Sequence, residues 1–148
     1  MSSIYEAPTA ELEAKGQAEY KLYKVSGVWT ATFLGSMLAG GIVMAINYKR
    51  LGMDAEANKT LLYSVLAMLA FFVIIYFIPD DINIPQYVFV IPQVVVMAQL
   101  AKRYQQEYID VHIQNGGEMA SNWKAAGIAI LTVIPLVAFF VAAVMLFS

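Results

Sequence analysis

Ile128-Ala129-Ile130-Leu131-Thr132-Val133-Ile134-Pro135-Leu136-Val137-Ala138-Phe139-Phe140-Val141-Ala142-Ala143-Val144-Met145-Leu146-Phe147 contains no ionisable side chain. Thirteen of its residues are Val, Ile, Leu or Phe. Each is worth about −0.3 to −0.6 kcal/mol near the centre of a bilayer, so the run totals roughly −4 to −8 kcal/mol as an upper bound. One buried Lys or Asp would return about +2.5 to +3.5 kcal/mol, so the lack of any charge decides the reading.

Three more stretches upstream share the property: Ser26 to Asn47, Thr60 to Ile78 and Ile84 to Ala101 hold no Asp, Glu, Lys, Arg or His, and the run from Ile128 itself extends back to Ala125. The whole 148-residue chain is 60% hydrophobic and 14% charged, with a mean hydropathy of +0.64. A soluble domain of this size could not cover that balance with polar surface. Continuous apolar runs without period-two alternation must satisfy their backbone as helices rather than as a barrel. The expected fold is all-α and integral to a membrane. It has four apolar helical segments, a polar arm over residues 1–24, and a single multi-pass domain over 25–148.

Several classes of chemistry fall away. No cysteine is present, which removes disulfides and thiolate metal sites. A net charge of −2 gives no electrostatic footprint for nucleic acid. The Glu-containing leader has no short basic region and no small-residue cleavage site, so no segment reads as a cleavable signal. His112 is the single histidine, is expected at the surface, and has no partner at metal-ligand spacing or near a nucleophile elbow. Asp80 and Asp81 follow Pro79 and read as solvated residues at a membrane exit. Ion-coupled carriers place ionisable groups at membrane depth, and these four segments have none. No catalytic, cofactor-binding or metal-binding residue is therefore assigned.

The first stretch is rich in small residues. Ala31, Gly35 and Ala39 recur every fourth position with Ser36 and Gly40 beside them, a face that lets another helix approach closely, in this chain or in a partner. From Val28 onward its three glycines and two threonines also weaken it, so a break near Gly35-Ser36 is expected. The Leu51 to Lys59 segment reads as a polar turn. The third segment, taken as Ile82 to Ala101, carries Pro85 in its first turn and a kinking Pro92, with Gln86, Gln93 and Gln99 as the polar groups at membrane depth. Its helix is expected to continue into the cytoplasm with Leu100, Tyr104, Tyr108 and Val111 on one stripe, and to stop at Gly116-Gly117. Ser121 or Asn122 then caps the last helix, which Pro135 bends. Trp29, Tyr48, Trp123 and Lys124 are placed as interface anchors.

Charge bears on orientation. If the first stretch crosses, Lys49, Arg50, Lys59, Lys102, Arg103 and Lys124 share one side, Lys15, Lys21 and Lys24 lie opposite, and the N-terminus is outside. If it is a re-entrant hairpin, all nine basic residues gather on the cytoplasmic side. The hairpin satisfies the positive-inside rule completely and is preferred, with arms of only about ten residues and a broken backbone that protein must shield.

The run Ala31-Thr32-Phe33-Leu34-Gly35-Ser36-Met37-Leu38-Ala39-Gly40-Gly41, followed by Asn47-Tyr48-Lys49-Arg50-Leu51-Gly52, resembles a signature of small uncharacterised bacterial inner-membrane proteins. That signature reads approximately Ala-Thr-Phe-Leu-Gly-Gly-Pro-Leu-Ala-Gly and then Asn-Tyr-Arg-x-Leu-Gly, so Ser36 and Met37 stand at its Gly-Pro. The resemblance implies the bacterial cytoplasmic membrane and no particular activity. The expected function is a non-enzymatic multi-pass protein that binds another membrane component, as an accessory subunit or a toxin-immunity protein. Its contact surfaces would be the Ala31, Gly35, Ser36, Ala39, Gly40 face and the polar helix from Lys102 to Asn115. The alternative is a homo-oligomeric channel with Gln93, Gln99 and the glycine-rich helix facing its path.

Overall fold

The computed structural model describes residues 20–148, so nearly all of the expected 1–24 arm lies outside the described residues. The elements run β1 (Leu22–Tyr23), α1 (Val25–Arg50), α2 (Asp54–Tyr76), α3 (Tyr87–Gln114), β2 (Met119–Ala120) and α4 (Asn122–Phe147). The described residues are all-α apart from the short parallel β1·β2 ribbon, which pairs Leu22 with Met119 and Tyr23 with Ala120. Three helices, α1, α2 and α4, are long and apolar enough to cross a membrane.

α1 is broken where the sequence is weakest. Gly35 sits at φ −131°, ψ 18° and Ser36 at φ 72°, ψ 177°, and helical geometry resumes beyond them. The two ends of the element meet. The Tyr23 N–H donates to Asn47 Oδ1 at 2.7 Å, and Asn47 Nδ2 donates to the Tyr23 carbonyl at 2.9 Å. Positions 24 apart would be separated by about 36 Å in a straight helix, so the chain doubles back at the break. A Cβ placed on Gly40 would lie 3.3 Å from Thr32 Cβ, although a straight helix holds positions eight apart at about 12 Å.

This doubled element is the middle of the molecule. α2, α3 and α4 each pack against α1 and make little contact with one another. The burial follows: half of the apolar window of α1 is covered, against 11% for α2 and 6% for α4. Small side chains make this possible, because Ala31, Ala39, Val28 and Val43 are fully buried and the glycines admit neighbours directly. A Cβ on Gly35 would come within 2.9 Å of the Ala129 Cα, so α4 rests on bare backbone there. The large apolar side chains point the other way, as at Leu131 (71% exposed) and Phe139 (70%). The interior is small and partly polar while the exterior is large and apolar.

Several boundaries differ from those read in the sequence. The expected polar turn over 51–59 shrinks to 51–53, because Asp54 and Glu56 suit the positive end of a helix and start α2 early. The expected third segment loses Ile82 to Gln86, which lead into α3 outside its helix; Pro85 cannot donate to a preceding turn. Its uncharged part, Tyr87 to Ala101, spans about 22 Å. Both α3 and α4 run on through Pro92 and Pro135 without interruption. Ser121 is the cap of α4, its Oγ accepting from the Lys124 N–H at 3.3 Å.

The apolar stripe read on the α3 extension faces outward. Tyr104, Tyr108 and Val111 are exposed, and the buried row is Met97, Ala101, Gln105, Ile109 and His112. Two of those positions are polar and find backbone partners, which a reading by apolar periodicity does not anticipate. His112 is therefore a buried residue, 4% exposed, contrary to its expected surface place. Tyr48 is likewise turned inward against Ala45 and Ala57, whereas Trp29, Trp123 and Lys124 are exposed.

Candidate functional site

Three polar arrangements hold the doubled chain together, and a groove opens beside it. At the closed end, Asn47 and Gln105 are each 1% exposed. Besides its pair of bonds to Tyr23, Asn47 donates from Nδ2 to Gln105 Oε1 at 3.1 Å, and Gln105 Nε2 donates to the Met44 carbonyl at 2.8 Å. The side chain of Asn47 thus mimics a strand partner for one residue of backbone and ties β1, the second arm of α1 and α3 into one unit. The Arg50 guanidinium adds a bond to the Lys21 carbonyl and lies over the Tyr23 ring, 5.5 Å from its centroid. An exposed ion pair, Lys21 to Glu118 at 3.3 Å, closes the same end.

The second arrangement is at the tip. The Met37 N–H, released by the break, donates to Gln93 Oε1 at 3.2 Å, and Gln93 Nε2 donates to the Phe89 carbonyl at 2.9 Å. A broken backbone in a low-dielectric place needs such a partner. Of the three glutamines singled out in the sequence, Gln93 alone faces the interior, and it accepts from α1; Gln86 and Gln99 are exposed. The Ser36 hydroxyl, by contrast, is buried with no hydrogen-bond partner among the described residues.

Third, His112 Nε2 lies 2.8 Å from the Glu118 carbonyl, so that nitrogen carries the proton, and the ring stacks on Tyr20 at 5.1 Å. Its Nδ1 has no partner among the described residues. Gly117 is close enough to the ring that a Cβ there would collide with it, which fixes the turn after α3.

The groove has a volume of about 490 Å³ and lies between the second arm of α1, α2 and α3. Met37, Met97, Val96 and Ala67 line it toward the tip; Tyr48, Tyr104, Thr60, Lys59 and Glu56 line it toward the closed end. Its hydroxyls are engaged with their own helix, Thr60 Oγ1 donating to the Glu56 carbonyl at 2.8 Å and Ser64 Oγ to the Thr60 carbonyl at 2.7 Å. Lys59 pairs with Glu56 at 3.6 Å on the surface. No group of three or more His, Cys, Asp or Glu capable of holding a metal ion occurs among the described residues. The arrangement suits binding of an elongated apolar molecule and offers no nucleophile held by a base.

The small-residue face marked in the sequence is used within the fold. Ala31 and Ala39 are fully buried, Gly35 faces Ala129, Gly40 faces Thr32 and Met97, and Gly41 faces Ser64. Little of it is left for a second molecule. What the sequence reading missed was Asn47 and Gln105, whose signal was an amide at the end of one apolar stretch and another on the inner row of α3. No protein-family model, curated protein or solved structure matches the chain.

Proposed function

We propose that the chain is an integral protein of the bacterial cytoplasmic membrane that binds another membrane component and does no chemistry on it. In this reading α2, α3 and α4 cross the bilayer, and α1 enters and leaves on the cytoplasmic side. The observation that carries it is the meeting of the two ends of α1. It gathers Lys21, Lys24, Lys49, Arg50, Lys59, Lys102, Arg103 and Lys124 at one end of the molecule and leaves Asp80 and Asp81 at the other. A single basic end is what the positive-inside rule asks of a cytoplasmic face.

Lengths agree with this placement. From Lys124 to Phe147 α4 rises about 34 Å, and from Lys59 to Tyr76 α2 rises about 26 Å, against a hydrocarbon core of about 30 Å. α3 rises about 22 Å from Tyr87 to Lys102, and the extended residues 82–85 complete its path. The arms of α1, about 15 and 21 Å, are each too short to cross. The outward Leu, Ile and Phe side chains then face lipid, where an exposed apolar surface costs nothing.

An accessory subunit and an immunity protein against a membrane-acting toxin are both roles of this kind. A permeation path is less well supported, because both amide atoms of Gln93 are bonded internally and the glycine face is packed. The test is a pair of topology reporters. One inserted after Ser3 should read as cytoplasmic and one after Ser148 as external; an external reading at Ser3 overturns the arrangement.

A further inference from the structure

The groove beside the doubled chain runs parallel to the bilayer normal if the placement above holds, and its length is informative. Along α1 it extends from Met37 to Tyr48, and along α2 from Ala67 to Glu56, eleven residues in each case. That is about 16 Å of helix, close to half of a hydrocarbon core of about 30 Å. The groove therefore occupies one leaflet, the one on the basic side.

Its walls grade along that length. Met37, Val96, Met97 and Ala67 form the deep part, and methionine side chains adapt readily to a flexible apolar occupant. Tyr48, Tyr104 and Lys59 form the shallow part, where the exposed Tyr104 hydroxyl and the Lys59 ammonium meet water beside the buried Tyr48. Lys49, Arg50, Lys102 and Arg103 lie at the same end, so an occupant with a negative head is favoured there. The volume of about 490 Å³ falls within the range of small-molecule sites.

We infer that this groove holds one acyl chain of an anionic phospholipid from the cytoplasmic leaflet, with the phosphate at Lys59 and Tyr104 and the chain end against Met37 and Met97. The lipid completes the shield around the broken tip of α1, which Gln93 covers from α3 and Ala129 from α4. Lys59 leaves its weak surface pair with Glu56 to meet the phosphate. This assignment rests on the membrane placement proposed above and names the component bound.

Full-length protein purified in mild detergent and titrated with phosphatidylglycerol, then with phosphatidylcholine, tests it by native mass spectrometry. One tightly held phosphatidylglycerol per protomer is expected. Ala67→Trp, at an exposed position that fills the groove without disturbing the core, should weaken it about tenfold, the equivalent of two methylenes denied burial. Lys59→Gln should narrow the preference for phosphatidylglycerol over phosphatidylcholine. Unchanged lipid retention in Ala67→Trp, with thermal unfolding like the parent, overturns the inference, as does photocrosslinking from position 67 to polypeptide instead of lipid. If the parent protein partitions into the aqueous fraction, the membrane placement itself fails; if it stays membrane-bound with an empty groove, only the lipid assignment fails.

Discussion

Replacing Ser36 by glycine should stabilise the protein, an unusual outcome for a glycine introduced between two helical segments. At φ 72°, ψ 177°, Ser36 occupies a region that side-chain-bearing residues reach only under strain of about 1–3 kcal/mol. Its hydroxyl is also buried without a partner, which adds a desolvation penalty of about 1–3 kcal/mol. Glycine removes both and returns about 0.5–1 kcal/mol through its greater freedom in the unfolded chain. A net gain of about 1–5 kcal/mol follows. Unfolding in mixed micelles with increasing dodecyl sulfate, read by Trp29 and Trp123 fluorescence, measures it. Ser36→Ala separates the contributions, since it deletes the hydroxyl and keeps the strained backbone, and should fall below Ser36→Gly. Were α1 a continuous helix, Ser36→Gly would instead destabilise by about 0.5 kcal/mol. A loss of stability in Ser36→Gly therefore refutes the break.

Other substitutions probe the same architecture from different sides. Asn47→Ala removes three hydrogen bonds to Tyr23 and Gln105 and should lower stability by about 2–4 kcal/mol in the same micelle titration. Gln93→Leu leaves the Met37 N–H unpaired at the tip and should cost about 1–3 kcal/mol, visible as faster amide exchange at residues 36–38. Gly41→Ala collides with Ser64 and should destabilise by about 1–3 kcal/mol; adding Ser64→Gly should restore most of that loss, and a double-mutant cycle without coupling would count against the contact.

Much of the fold could be read before any coordinates, for a physical reason. An uncharged run such as Ile128 to Phe147 reads as one long apolar helix, and a segment with Gly35, Gly40, Gly41 and two threonines has an evident weak point. Even the placing of the break at Gly35-Ser36 followed from local helix propensity. What periodicity could not give was the inner face of the α3 extension. Tyr104, Tyr108 and Val111 look like a buried stripe, yet their row points outward because Gln105 and His112 have backbone carbonyls to meet, at Met44 for the amide and Glu118 for the ring. Polar residues that bury themselves by pairing with a distant backbone leave no spacing signature. The same holds for Tyr48, which sits inward because Ala57 arrives from α2, a contact between elements separated by the turn. The candidate groove was also beyond sequence reading, since its walls come from three elements and none of its residues is chemically distinctive.

The doubling back of α1 is tested most directly by a disulfide. The chain has no cysteine, so the pair Thr32→Cys and Gly40→Cys introduces the only thiols. Positions 32 and 40 face each other with Cβ positions 3.3 Å apart, near the spacing of about 3.5–4.5 Å that a disulfide spans. Oxidation in native membranes by an added mild oxidant should join them within one chain, detected as a mass loss of two hydrogen atoms and protection from a thiol-directed label. A continuous helix would hold the two sites about 12 Å apart, beyond the reach of any disulfide. Both cysteines remaining free to label under oxidising conditions would contradict the doubled chain.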